Sequence, residues 1–148
     1  MFISIHVPKT AGTTLAFMFD YGSRRRMYYD YSENDPIKVK KCPESTISAK
    51  EFIELNFDFI HGHFFVQKYM DVFPDAEYIT CVRHPVDRVV SQYYHVAREH
   101  SDERGVKMRE GGYNIIDFID ESPSVLNAHI AFLGAKPIEE YDFVFINE

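Results

Sequence analysis

No apolar run in this chain approaches the roughly 20 residues needed to span a bilayer. The opening segment Met1–Val7 is too short for a secretory leader and has no basic stretch before it. Cysteine is scarce. Cys42 and Cys81 form no disulfide framework, so both are expected as reduced thiols in a reducing compartment. Excess positive charge is also absent. The net charge of −7 argues against a nucleic-acid binder, so any anionic ligand must be met by local positive features. A soluble, cytoplasmic protein with no membrane span and no nucleic-acid partner is the expectation. What the chain does have is apolar content. Over 148 residues, 45% are hydrophobic and 16% aromatic, enough for a packed core in one domain, 1–148, and against global disorder.

Apolar, β-branched runs predict strands at Phe2–Val7, Phe57–His63, Glu77–Arg83 and Tyr141–Glu148, with a short one around Met27–Tyr31. Between them lie helical patterns. One opens at Thr10 and runs to Phe19. Ser48–Leu55 begins with Ser and has Glu51 three residues on, a capping box. Phe65–Phe73 is helical in period and stopped by Pro74. The segment from Pro85 carries apolar residues at 86, 89, 90, 93, 96 and 97. Tyr113–Leu133 predicts one or two more helices, broken at Ser122-Pro123. Gly22–Pro43 reads mostly as polar loop, and residues 101–112, SDERGVKMREGG, as a charged loop. Strands alternating with helices predict an α/β fold, a P-loop-like open and mainly parallel sheet flanked by helices. The last strand has no helix after it, which suggests a minimal or truncated version.

The stretch His6–Leu15, HVPKTAGTTL, joins the first strand to the first helix. That geometry points free backbone N–H groups at an anion. Gly12 allows close backbone approach, Thr13 and Thr14 offer hydroxyls, and Lys9 adds a mobile charge. Acidic residues normally complement a helix's first turn, yet none occurs before Asp20. The positive end of this helix is left for an external anion. In nucleotide hydrolases the loop lysine follows the last glycine, whereas Lys9 precedes Gly12. A Mg²⁺-dependent hydrolase or kinase is an alternative, but the strands ending near His63 and Arg83 supply no Asp to hold the metal.

His61 and His63 are two apart and face one side of a strand whose end borders the ligand crevice of an open sheet. They read as a general base with a helper, as a metal pair, or as structural histidines. Arg83 ends a strand and Ser91 lies two helical turns beyond Pro85, a pair able to hold a phosphate. Arg88 is read as pairing with Asp87 or solvent. Arginines at 24–26 and Tyr21, Tyr28, Tyr29 and Tyr31 offer cations and stacking faces for an anionic glycan, or simply a solvated basic loop.

Together these segments resemble the PAPS-dependent sulfotransferases. VPKTAGTT is similar to their 5′-phosphosulfate loop and CVRHPVDRVVSQYYH to their 3′-phosphate motif. FIHGHFF is similar to the uronyl 2-O-sulfotransferase branch, in which a His-Gly-His segment supplies the base. The resemblance runs in order from about Phe2 to Tyr94. It implies 3′-phosphoadenosine 5′-phosphosulfate (PAPS) as co-substrate and no metal. It also implies that Lys9, Thr10, Ala11, Gly12, Thr13 and Thr14 hold the 5′-phosphosulfate, and that Arg83 and Ser91 hold the 3′-phosphate. His63 is the implied base, with His61 assisting and Lys9 at the reaction centre. The acceptor implied is a hydroxyl compound, of the carbohydrate class. A binding module that keeps the PAPS pocket without transfer is the non-enzymatic alternative.

Overall fold

A computed structural model describes residues 1–23, 25–31, 48–134 and 136–147. Arg24, Cys42, Glu148 and most of the loop expected at 22–43 lie outside the described residues. Five strands form one sheet: β1 (Phe2–Ile5), β2 (Met27–Asp30), β3 (Phe59–Gly62), β4 (Glu77–Arg83) and β5 (Phe143–Asn147). Their order is β2-β3-β1-β4-β5 and every pairing is parallel. The expected α/β class and mainly parallel sheet are what the chain adopts.

The helices are α1 (Gly12–Ser23), α2 (Ala49–Asn56), α3 (Gln67–Met70), α4 (Pro85–Arg98), α5 (Glu103–Arg109), α6 (Ile115–Glu121) and α7 (Ala128–Leu133). The connection leaving β1 runs toward one edge of the sheet, and those leaving β3 and β4 run toward the other. Right-handed crossovers therefore put their helices on opposite faces. Alternation along the strands shows both faces filled. Phe59, Ile79 and Cys81 pack with Leu15 and Phe19 of α1. Ile3, Ile5 and Ile60 pack with Ile53 of α2, Tyr69 of α3 and Leu133 of α7. A third cluster, Val96, Met108, Tyr113 and Phe118, ties α4 to α5 and α6.

Several boundaries follow local chemistry. Ser48 and Glu51 form the predicted capping box on α2, and Pro85 sits in the first turn of α4. The segment 101–112 departs from expectation: it contains α5 rather than a charged loop. Asp102 caps it by accepting from the Arg104 N–H, and Met108 is buried on Val96. Gly105 lies so close to the Val96 and Glu99 carbonyls that a Cβ there would come within 3.0 Å of both. The charged residues hid a short helix whose apolar content is only two side chains deep. The first helix begins at Gly12, two residues later than predicted, because Thr10 is spent on the turn. Its hydroxyl donates to the Val7 carbonyl at 2.8 Å, and its own carbonyl accepts from Cys81 Sγ at 2.6 Å.

Of the arginines in the 24–26 run, the two described serve the fold. Arg25 lies over the Phe2 ring at 4.3 Å. Arg26 pairs with Asp58 at 3.0 Å and donates to the Leu55 carbonyl.

Candidate active site

The carboxyl ends of all five strands converge on one cleft of about 540 Å³. Tyr31 follows β2, His63 follows β3, and the loop His6–Thr13 follows β1. Arg83 ends β4 and Asn147 ends β5. Helix α4 adds Ser91, Gln92 and His95. Such a crevice, where strand order reverses beside β1, is the usual ligand position in an open α/β sheet.

Positive charge collects here. Lys9 and Arg83 line the cleft and, among the described residues, no Asp or Glu does. The Lys9 ammonium is held below its ordinary pKa by burial first, then by Arg98 and Arg83. Arg83 Nε is buried with no hydrogen-bond partner among the described residues. Lys9 and Ala11 both take positive φ, 69° and 70°, unusual for residues with a Cβ. Alternating left- and right-handed residues turn successive N–H groups inward as an anion nest. The first turn of α1 holds no acidic residue.

The histidines form a stack. His6 packs on His63 with centroids 4.2 Å apart and on His61 at 5.2 Å. His61 is fully buried, and its Nδ1 lies 3.0 Å from Ser4 Oγ. Burial, then the neighbouring His63, His61 and Lys9 charges, lower His6 to a pKa of about 3. Burial and His63 lower His61 to about 4. Both rings are therefore neutral at pH 7. Two glycines make the arrangement possible. A Cβ on Gly12 would come within 3.0 Å of three atoms of the His6 ring, and one on Gly62 within 3.0 Å of the Asp30 carbonyl on β2.

Of the residues singled out from sequence, the cleft brings together Lys9, Ala11, Gly12, Thr13, His63, Arg83 and Ser91. Thr10 and His61 are buried beneath it, and Thr14 does not line it. Arg88 is not solvated or paired with Asp87 as expected. It is 1% exposed, while Asp87 approaches His84 at 3.8 Å. A helical position five residues after the end of β4 gave no hint of this, because α4 turns Arg88 inward with Val89. Sequence reasoning passed over His6, Gln92, His95 and Asn147, and read Tyr31 only as a stacking face for a glycan or part of a solvated loop. For His6 a signal existed: Phe2, Ser4 and His6 share a strand parity, so the ring falls on the α1 face beside His61. For His95 the offset of four from Ser91 was the clue, while Gln92, one residue from Ser91, carried none.

The site is thus a crevice at the strand ends of a parallel α/β sheet, lined by Lys9 and Arg83 and, among the described residues, by no carboxylate. Residues 1–119 match the profile of the sulfotransferase family. The chain belongs to that family. It is also similar to the crystal structure of a sulfotransferase from Alicyclobacillus acidocaldarius, at 17% identity and a TM-score of 0.45, over 98% of this chain and 72% of that one. No curated protein matches it in sequence. Among the described residues, no helix is long and apolar enough to cross a membrane.

Proposed function

We propose that residues 1–148 act as one domain that transfers a sulfuryl group from PAPS to a hydroxyl acceptor. The observation that carries this reading is the convergence of Lys9, Arg83, Ser91 and His63 on one cleft that no carboxylate lines among the described residues, in a member of the sulfotransferase family. The buried, unpartnered Nε of Arg83 fits an anionic group on the ligand. A Mg²⁺-dependent hydrolase is less well supported, since no lining side chain is a carboxylate able to hold the metal.

In this reading Lys9 and the amides from Ala11 to Thr14 hold the 5′ end of the nucleotide. Arg83 and Ser91 hold its 3′-phosphate. When bound, PAPS supplies the activated sulfuryl group. His63 accepts the acceptor hydroxyl proton, its ring held by His6, while His61 supports His6 from below. Lys9 and the helix N-terminus present fixed positive charge, in place before reaction, where negative charge grows. A carbohydrate acceptor rests on the likeness of Phe59–Phe65 to the uronyl 2-O branch. A cytoplasmic setting accords with the reduced, buried Cys81.

The test is transfer of radiolabelled sulfate from PAPS to a panel of hydroxyl acceptors, with thermal shifts for adenosine 3′,5′-bisphosphate and for Mg-ATP. Lys9→Ala should lose about 10²–10³ in turnover. His63→Ala should lose about 10²–10⁴ while keeping bisphosphate binding. Wild-type turnover in His63→Ala refutes its role as base. Stabilisation by Mg-ATP alone refutes the donor assignment.

A further inference from the structure

A second cleft, of about 530 Å³, shares a wall with the first: Pro8, His63, Gln92 and Phe132 line both. The proposed base thus faces two spaces, one rich in phosphate-binding groups and one not. The second space is walled by Phe64, Phe65, Phe118 and Val125, with Arg88 among its lining. Among the described residues, no acidic side chain lines it.

Arg88 is the anomaly there. It is 1% exposed, and its Nε and Nη2 are buried with no hydrogen-bond partner among the described residues. A guanidinium cannot shed its proton, and burying one unpaired is costly. Its charge is felt nearby: His129 is held below its ordinary pKa by burial and then by Arg88. The other lining arginine is already engaged. Arg104 donates to Asp102 at 2.7 Å and to Ser122 Oγ at 3.0 Å. Arg88 is therefore the cation left for a ligand. Few polar side chains remain beside it, Gln92 and Ser124 chiefly, too few to satisfy a sugar's many hydroxyls. The phenylalanine walls instead suit an apolar body.

We propose that the second cleft receives the acceptor, and that this acceptor is a compact hydroxyl compound with an apolar body and one anionic group that meets Arg88. The proposal rests on the sulfuryl-transfer reading for its donor side and takes the place of the carbohydrate acceptor that the likeness to the uronyl 2-O branch suggests. Placed so, the anion lies at Arg88, the apolar body along Phe64, Phe118 and Phe132, and a hydroxyl near His63.

The test is titration calorimetry on the full chain saturated with adenosine 3′,5′-bisphosphate. The probes are matched pairs: lithocholate against its methyl ester, and 4-hydroxyphenylacetate against its amide. The acid of at least one pair should bind about tenfold more tightly than its neutral partner, the scale of a hydrogen bond to a charged group. Arg88→Gln should bring that ratio to about one. Ser124→Asp, an exposed change that leaves Arg88 in place, should do the same without altering bisphosphate affinity. Equal binding of acid and neutral probe, no binding of either acid, tighter binding of an oligosaccharide, or an acid preference unmoved by Ser124→Asp each overturns the proposal. If bisphosphate binds and the pairs fail to discriminate, only the acceptor assignment falls. If bisphosphate does not bind, the sulfuryl-transfer reading falls and takes this one with it.

Discussion

Replacing Gly12 by alanine tests whether the histidine stack is a rigid body. In the first turn of an ordinary helix this change stabilises by about 0.5–1 kcal/mol, because glycine gives up more backbone freedom on folding. Here the new Cβ would lie within 3.0 Å of three atoms of the His6 ring. That ring cannot swing aside freely. It is 6% exposed, with His63 stacked at 4.2 Å and His61 at 5.2 Å. Overpacking of this kind costs about 1–3 kcal/mol. The expected balance is a net loss of about 1–2 kcal/mol, read as a fall of about 2–8 °C in melting temperature. The double-mutant cycle isolates the cause. In a His6→Ala background the same Gly12→Ala change should become neutral or stabilising, with a coupling of at least about 1 kcal/mol. Thermal unfolding of the four proteins measures it. A Gly12→Ala protein that melts higher than wild type, or one equally destabilised in both backgrounds, would falsify the packing account.

Acid should unfold the protein early. His6 and His61 have folded pKa values of about 3 and 4, below the unfolded value near 6.5, so the unfolded chain binds more protons across that window. Stability is full above pH 6.5 and falls on acidification toward pH 3, by about 3–4 kcal/mol between pH 7 and 5 for the two together. Urea titrations at both pH values check this, and a flat profile contradicts the buried-neutral assignment. Arg83→Ala should weaken adenosine 3′,5′-bisphosphate binding by about 10–100-fold in calorimetry, and unchanged affinity removes Arg83 from the site. Asp30 takes a 2.6 Å ion pair from Lys68 and a 2.7 Å hydrogen bond from the Tyr69 hydroxyl, all nearly buried. Asp30→Asn should therefore cost about 3–5 kcal/mol in chemical denaturation, and a loss below 1 kcal/mol would show the network to be dispensable.

The strands were legible in sequence because each is a short apolar run closed by Gly, Pro or a charge. Glu77–Arg83 has the same limits in the structure as in the pattern. The anion loop was legible for a related reason: strand, tight turn and acid-free helix start are all local. α5 was not, since its signal is one cap and a single buried side chain, Met108, amid charge. Arg88 was not, because burial of a charged side chain depends on what α4 packs against and not on its own neighbours in sequence. His6 fell between these cases. Its strand parity was readable, but its stacking on His61 and His63 depends on β1 lying beside β3, a pairing that sequence periodicity does not specify.

That pairing also arranges charge along the cleft. At pH 7 His6 and His61 are neutral, so the fixed cations among the lining are Lys9 and Arg83. The end of the cleft that holds His63 is thus walled by uncharged imidazoles rather than by further cations. A base that must take up a proton works against any positive charge already beside it. Depressing the pKa values of its two neighbours removes that opposition while still providing flat rings to hold it in plane. The neutral rings of His6 and His61 hold the proposed base without adding charge beside it. This explains in physical terms why His6 follows the first strand and why the helix facing it must begin with Gly12.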